Sequence, residues 1–78
     1  MPHQDHPPWI LDNRRALGDR IRDCRMRQNL TQDQLAEIAE VSRDTIQRIE
    51  GGQNDAKVSF LWKIAKALDV SLADLVRE

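Results

Sequence analysis

Apolar residues between positions 31 and 52 recur every three or four residues, which is the spacing that places them on one side of an α-helix. The pattern divides into two short segments that begin at Thr31 and Ser42. In each segment an apolar residue precedes the hydroxyl residue and another follows four positions later, as in an N-cap with a hydrophobic staple. The pattern therefore predicts two capped helices joined by a tight turn at Glu40, with Gly52 as a left-handed stop after the second.

The second of these helices, residues 42–50, has an unusually polar outer face. Only Ile46 and Ile49 are available to face a core. The polar residues predicted to point outward are Arg43, Asp44, Gln47 and Arg48. A short helix with so narrow an apolar stripe presents its polar side chains to a partner, so we interpret residues 42–50 as a recognition helix.

Three more helices are predicted outside this pair. The first has Asp12 as its N-cap and runs to about Gln28, because apolar residues recur along it at helical spacing. The fourth covers about residues 58–68, although Lys57 stands at its cap position and has no acceptor for a backbone N–H. The fifth begins at Ser71. Since the chain contains no convincing strand, the predicted fold class is all-α, a compact five-helix bundle.

The first eleven residues differ in composition from the rest. Residues 1–11 contain all three prolines, which disfavour helix, and we predict an N-terminal arm there ahead of a single domain at residues 12–78. The arm ends in the apolar segment Trp9–Leu11, which we expect to dock on the domain. Trp62 falls beside the inward positions of the fourth helix, so we expect the arm to pack on it, with self-association as the alternative.

Composition narrows the possible functions. The chain has 78 residues, enough for one small domain, and no apolar run approaches the roughly 20 residues that span a bilayer. The single Cys24 indicates a reducing compartment, and we expect a cytoplasmic protein in which this thiol is a small buried hydrophobe rather than a reactive group. His3 and His6 have no further ligands nearby, so we expect no metal, no cofactor, no small-molecule site and no enzymatic activity.

Charge is unevenly distributed along the chain. The net charge is −1, with six arginines and two aspartates in residues 14–30 but five acidic residues and two arginines in residues 31–50. A nucleic-acid-binding protein with this balance gains little from general attraction to phosphate. Any such protein would depend on specific contacts.

Four motifs occur together with a characteristic spacing. They are IRDCR at residues 21–25, LTQDQLA at 30–36, VSRDTIQRIEGG at 41–52 and LWKIAKALDVSLADL at 61–75. Together residues 20–75 resemble the helix-turn-helix domain of phage repressor and Cro proteins, the XRE-type bacterial regulators. The resemblance implies a lambda-repressor-like bundle of five helices, whose third helix enters the major groove of double-stranded DNA.

The resemblance also implies roles for individual residues. The positions that match base-facing residues of the family are Ser42, Arg43, Asp44 and Arg48. The positions that match contacts to the DNA backbone are Gln32, Gln53, Asn54 and Lys57. Arg25 and Glu50 match a structural ion pair that ties the first helix to the end of the third. Two positions depart from the family pattern, since Glu40 is commonly glycine and Lys57 replaces a small hydroxyl cap.

These observations favour a sequence-specific transcriptional regulator, a repressor, that binds a palindromic operator as a homodimer. The alternative is a protein-interaction or scaffold module, or an antitoxin subunit, that retains the fold; the acidic balance of residues 31–50 is its best argument. Asp44 and Arg48 have an alternative of their own, because residues four apart on a helix also form ordinary surface ion pairs.

Overall fold

A computed structural model describes residues 6–53 and 55–77, and within these ranges the protein is all-α. The helices are α1 (Pro8–Arg27), α2 (Gln32–Ala39), α3 (Arg43–Glu50), α4 (Val58–Leu68) and α5 (Leu72–Val76). The predicted five-helix architecture is therefore confirmed. Among the described residues, no helix has the length and apolar character required to cross a membrane.

The first helix begins earlier than the sequence predicts. α1 starts at Pro8 with Pro7 as its N-cap, so the prediction of Asp12 as N-cap is wrong. Proline at the first position of a helix sacrifices no hydrogen bond, because that N–H has no partner within the helix, and its fixed φ suits the helix. Pro7 and Pro8 thus favour a helix start, where the sequence analysis treated the prolines only as helix breakers. The segment Trp9–Leu11 forms the first turn of α1.

The predicted caps of the shorter helices are present. The Gln34 N–H donates to Thr31 Oγ1 at 3.0 Å and the Thr31 N–H donates to Gln34 Oε1 at 2.8 Å, which completes a capping box at α2. Ser42 Oγ accepts from the Thr45 N–H at 3.0 Å at the start of α3. Ser71 caps α5 in the same way. Local side-chain chemistry therefore sets where these helices begin.

The helix ends depend on left-handed residues. Gly52 has φ +68° and follows α3, as predicted, with the Gln53 N–H donating to the Arg48 carbonyl at 3.0 Å. Glu40 ends α2 with φ 61°, a left-handed backbone conformation in which glycine is the usual residue. Asn29 occupies the same region after α1 with φ 58°. The turn between α2 and α3 is therefore tight but carries a strained glutamate.

Replacing Glu40 with glycine is expected to stabilise the fold. A non-glycine residue in the left-handed region costs about 1–2 kcal/mol, and the extra backbone entropy of glycine offsets about half of the gain. We expect a net gain of about 1 kcal/mol, seen as a rise of roughly 5 °C in the melting temperature measured by circular dichroism. Asn29→Gly is the matched control and should gain less, because asparagine tolerates this conformation. An unchanged or lower melting temperature for Glu40→Gly would contradict the assumed strain.

Every helix contributes apolar side chains to the core. The completely enclosed apolar side chains are Ile21, Leu35, Ile46, Ile64, Leu68 and Leu75. Cys24 packs against this core and is only partly buried. Lys57 precedes α4 and makes no capping bond to the described residues, so the start of α4 at Val58 depends on the packing of its apolar face.

Trp62 is not covered in the way the sequence analysis expected. Trp62 and Trp9 are each 61% exposed, so the segment Trp9–Leu11 does not cover Trp62. Ile10 instead lies in a groove with Leu17 and Leu61. The inward register of α4 explains the difference, because Leu61 takes the position next to α1 and leaves Trp62 on the outside. The alternative expectation for Trp62, a role in self-association, remains a prediction.

Candidate DNA interface

The outer face of α3 is polar and solvent-exposed. Ile46 and Ile49 are buried behind it. The exposed residues are Ser42, Arg43, Asp44, Gln47 and Arg48. This placement follows from the helical period, since the two isoleucines three positions apart fix one side of α3 against the core. The helix therefore presents donors and acceptors on its exposed side, and a DNA major groove is wide enough to admit an α-helix.

Each of the two arginines on this face has a carboxylate partner. Arg43 Nε lies 3.3 Å from Asp33 Oδ1 at the start of α2, and Arg48 Nε lies 3.0 Å from Asp44 Oδ2 on α3 itself. Arg43 is 61% and Arg48 56% exposed. Pairs this exposed are weak, about 0–1 kcal/mol, so both guanidinium groups are available to a stronger partner.

A nearly buried ion pair holds α3 from behind. Arg25 Nε donates to Glu50 Oε2 at 2.7 Å, and a second guanidinium nitrogen donates to Glu50 Oε1 at 3.0 Å. Arg25 also donates to the Leu30 carbonyl at 2.8 Å. The Arg25 side chain is 12% and the Glu50 side chain 4% exposed. The pair therefore joins α1, the start of the helix-turn-helix and the end of α3.

The environment of this pair favours its charged form. The hydrogen bond to Glu50 raises the pKa of Arg25; burial lowers it, and the carboxylate charge raises it further. A cation with a raised pKa adds stability at every pH below the pKa of its unfolded state. The arginine side of the pair therefore contributes fully throughout the neutral range.

Gln32 links α2 to the same cluster. Its amide nitrogen donates to Glu50 Oε1 at 3.1 Å, so the side chain braces the end of α3. Gln32 is half-buried at the first position of α2, where free backbone N–H groups and the helix dipole favour an anion. The site is thus compatible with the predicted contact to a DNA phosphate, which remains a prediction.

The other residues expected to meet the DNA backbone follow α3. Gln53 and Lys57 are exposed in the loop between α3 and α4. The Lys57 Nζ lies 5.6 Å from the centroid of the Phe60 ring, a cation–π distance. Asn54 lies outside the described residues.

The sequence analysis missed a contact that ties this loop to α1. Arg14 donates from Nε to Asp55 Oδ1 at 2.8 Å, and another of its nitrogens lies 2.7 Å from the same oxygen. His6 Nε2 lies 3.5 Å from the other oxygen of Asp55. No sequence signal joins residues 41 positions apart, and Arg14 had no assigned role. The pair joins Asp55, between Gln53 and Lys57 in the sequence, to α1.

Gly18 is a second residue that the sequence analysis missed. It is buried in the middle of α1, where a Cβ atom would press against the Ile49 carbonyl oxygen and lie 2.5 Å from the Glu50 carbonyl oxygen. Only glycine allows the two helix backbones to approach this closely. A glycine inside the helix predicted from Asp12 to about Gln28 is the sequence signal that could have indicated such a contact.

The capped pair α2–α3, its tight turn and its exposed second helix define a helix-turn-helix protein. A sequence model of the family described as Helix-turn-helix (HTH_3) matches residues 21–75. Control protein C.SmaI of Serratia marcescens is 35% identical over 67 residues, covering 86% of this chain and 80% of that protein. The immunity repressor protein of Bacillus phage phi105 is 37% identical over 63 residues, covering 81% of this chain and 44% of that protein.

A solved structure agrees with this match. The restriction-modification controller protein C.AhdI from Aeromonas hydrophila superposes with a TM-score of 0.79 at 28% identity, covering 82% of this chain and 97% of that one. The chain belongs to the helix-turn-helix family of XRE-type DNA-binding regulators, because the family match spans most of its length. The predicted resemblance is confirmed. Since the relatives are regulators rather than enzymes, the prediction that the chain is not an enzyme is confirmed as well.

Proposed function

We propose that this protein is a sequence-specific transcriptional repressor that binds a palindromic operator as a homodimer. The observation that carries the proposal is the exposed face of α3, which holds two arginines outward while its other side is fixed to the core. Family membership supports DNA as the partner. A dimer bound across an operator blocks access of other proteins to that DNA, which is the physical basis of repression. The proposed location is the cytoplasm, because the DNA target lies there and a single unpaired cysteine suits a reducing compartment.

In this proposal α3 lies in the major groove. Arg43 and Arg48 donate to guanine, where a bidentate contact adds about 1–3 kcal/mol of discrimination. Asp44 accepts from cytosine N4, and Ser42 meets a base or the adjacent backbone from the first turn of the helix. The Ser42 hydroxyl also lies 2.8 Å from Thr45 Oγ1, so its orientation is set before DNA binds.

The proposed contacts to the DNA backbone surround α3. The residues that make them are Gln32, Gln53, Asn54 and Lys57. The place of Gln32 at the start of α2 supports this role, and the Arg14–Asp55 contact joins the loop after α3 to α1. These contacts fix the register of the domain on DNA, whereas the α3 residues read the sequence.

The dimer follows from the modest charge of the chain. One domain contacts only a half-site, and the net charge of −1 adds little general attraction. Two copies related by a two-fold axis would read half-sites about one helical turn apart, roughly 34 Å. The partners are therefore double-stranded DNA and a second copy of the chain.

Selection from a pool of random duplex DNA tests this proposal. The wild-type chain is expected to enrich a palindrome that binds two chains per duplex. Arg43→Ala should lose the preference at one position in each half-site and lower operator affinity by about 1–3 kcal/mol per half-site. Arg27→Ala is the matched control, because Arg27 is exposed near the end of α1 in a groove with Asp74 and Arg77 of the α5 region. It should keep the wild-type preference.

The same experiment separates the alternative function. A scaffold module or antitoxin subunit that uses the fold only for protein contacts would enrich no DNA sequence, even at low salt. That result, or an Arg43→Ala variant that selects the wild-type palindrome, would contradict the proposal.

A further inference from the structure

The carboxylate opposite Arg43 comes from a different helix and has no role in capping. Asp33 is the second residue of α2, whose capping box is already complete through Thr31 and Gln34. Its Oδ1 lies 3.3 Å from Arg43 Nε, and its side chain is 69% exposed. The contact that the structure gives this carboxylate is therefore the one to the arginine.

The position of Asp33 matters because it stands beside the proposed DNA surface. Gln32, its neighbour, occupies the proposed phosphate contact, and Asp33, Gln32 and Arg43 line one open groove. A carboxylate there repels phosphate oxygens and offsets the charge of the arginine. An arginine neutralised in this way gains little from DNA phosphates but keeps its hydrogen-bond donors for a base edge.

Two kinds of DNA contact respond differently to this pairing. General phosphate binding depends on net positive charge. Each phosphate that is neutralised makes the slope of log affinity against log salt concentration steeper by about 0.9. A bidentate contact to guanine depends on donor geometry and replaces the ion pair with two directed hydrogen bonds. A partner carboxylate therefore lowers binding to random DNA more than binding to the operator.

We propose that Asp33 is a specificity-determining residue: its carboxylate holds Arg43 away from general phosphate contacts and releases it to the correct base. This inference rests on the proposed function and adds a residue to it. Asp44 pairs with Arg48 and is itself a proposed base contact, so a substitution of Asp44 would change both interactions at once.

Asp33→Asn tests the inference with two duplexes, the selected operator and a scrambled sequence of the same length. The variant is expected to bind the scrambled duplex about fivefold more tightly at low salt, with a logarithmic salt slope steeper by about 0.9, one added phosphate. Operator affinity should rise less, so the ratio of specific to non-specific affinity falls. Fluorescence anisotropy over a salt series measures both quantities.

Glu37→Gln is the matched control. Glu37 is exposed one turn further along α2 and pairs with no other described residue, so this variant removes the same charge without releasing an arginine. Repeating Asp33→Asn in an Arg43→Ala background isolates the coupling. There the effect of Asp33→Asn should shrink to that of Glu37→Gln.

The outcomes separate this inference from the proposed function. A wild-type chain that binds no duplex selectively overturns both. A wild-type chain that selects an operator overturns the inference alone if Asp33→Asn matches Glu37→Gln, or if its effect persists without Arg43. A loss of selectivity that requires Arg43 supports it.

Discussion

Replacing Gly18 with alanine is expected to be among the most damaging single changes in this protein. The added Cβ would meet the Ile49 carbonyl oxygen and lie 2.5 Å from that of Glu50, both of which are backbone atoms of α3. Backbone inside a packed helix cannot rotate away as a flexible side chain can, so α1 and α3 must separate. Overpacking of a core costs about 1–3 kcal/mol, and a backbone clash belongs at the upper end.

Helix propensity opposes this cost without cancelling it. Alanine in the middle of a helix is favoured over glycine by about 1 kcal/mol. We therefore expect a net loss of about 2 kcal/mol, seen as a fall of roughly 10 °C in the melting temperature. Operator affinity should also fall at temperatures where the variant is folded, because the end of α3 is displaced.

Gly51→Ala provides the control for Gly18→Ala. Gly51 has an ordinary right-handed φ of −83°, and a Cβ there would lie 3.3 Å from the Gln47 carbonyl oxygen, a tight but tolerable distance. This variant should melt close to the wild type. If Gly18→Ala melted at or above the wild-type temperature, the close approach of α1 and α3 would not be what requires glycine.

Breaking the pair between Arg25 and Glu50 is expected to have an effect at least as large. Glu50→Ala leaves the guanidinium of Arg25 mostly buried without its carboxylate and removes the acceptor of Gln32. Removing one partner of a buried ion pair costs about 3–5 kcal/mol. Arg25 keeps its bond to the Leu30 carbonyl, so we expect the lower end, about 3 kcal/mol, measured by urea unfolding.

Two comparison variants show whether burial causes this loss. Asp55→Ala breaks the Arg14–Asp55 pair, whose carboxylate is 65% exposed, and should cost less than about 1 kcal/mol. The double variant Arg25→Met, Glu50→Leu should recover much of the stability, because apolar residues of similar volume can replace a buried pair. A Glu50→Ala variant no less stable than Asp55→Ala would show that the pair is not a structural tie.

The functional consequence of Glu50→Ala should exceed its effect on the fold alone. Glu50 ends α3 and receives hydrogen bonds from α1 and α2, so its loss frees one end of α3, the helix proposed to enter the major groove. Operator affinity should decline at temperatures where circular dichroism still shows a folded chain. The double variant should restore stability more fully than affinity, because packing replaces the pair without reproducing the bond to Gln32.

Local chemistry made much of the fold predictable. The caps at Thr31, Ser42 and Ser71 were evident in the sequence because an N-cap depends on residues within one turn of each other. The left-handed stop at Gly52 was predictable for the same reason. The start of α1 was not, because proline is compatible with both an extended arm and a first helical turn, and the sequence around Pro7 and Pro8 does not decide between them.

The sequence by itself determined the all-α class, the two short capped helices and the polar outer face of the second. Periodicity and capping are properties of neighbouring residues, so they can be read without knowing the fold. Only the tertiary structure decided the contacts between elements that neither a local pattern nor the family resemblance indicated. The contacts of Gly18 with the end of α3, of Arg14 with Asp55 and of Asp33 with Arg43 all join residues of different elements. Their distances follow from the packing of whole helices, which no local pattern records.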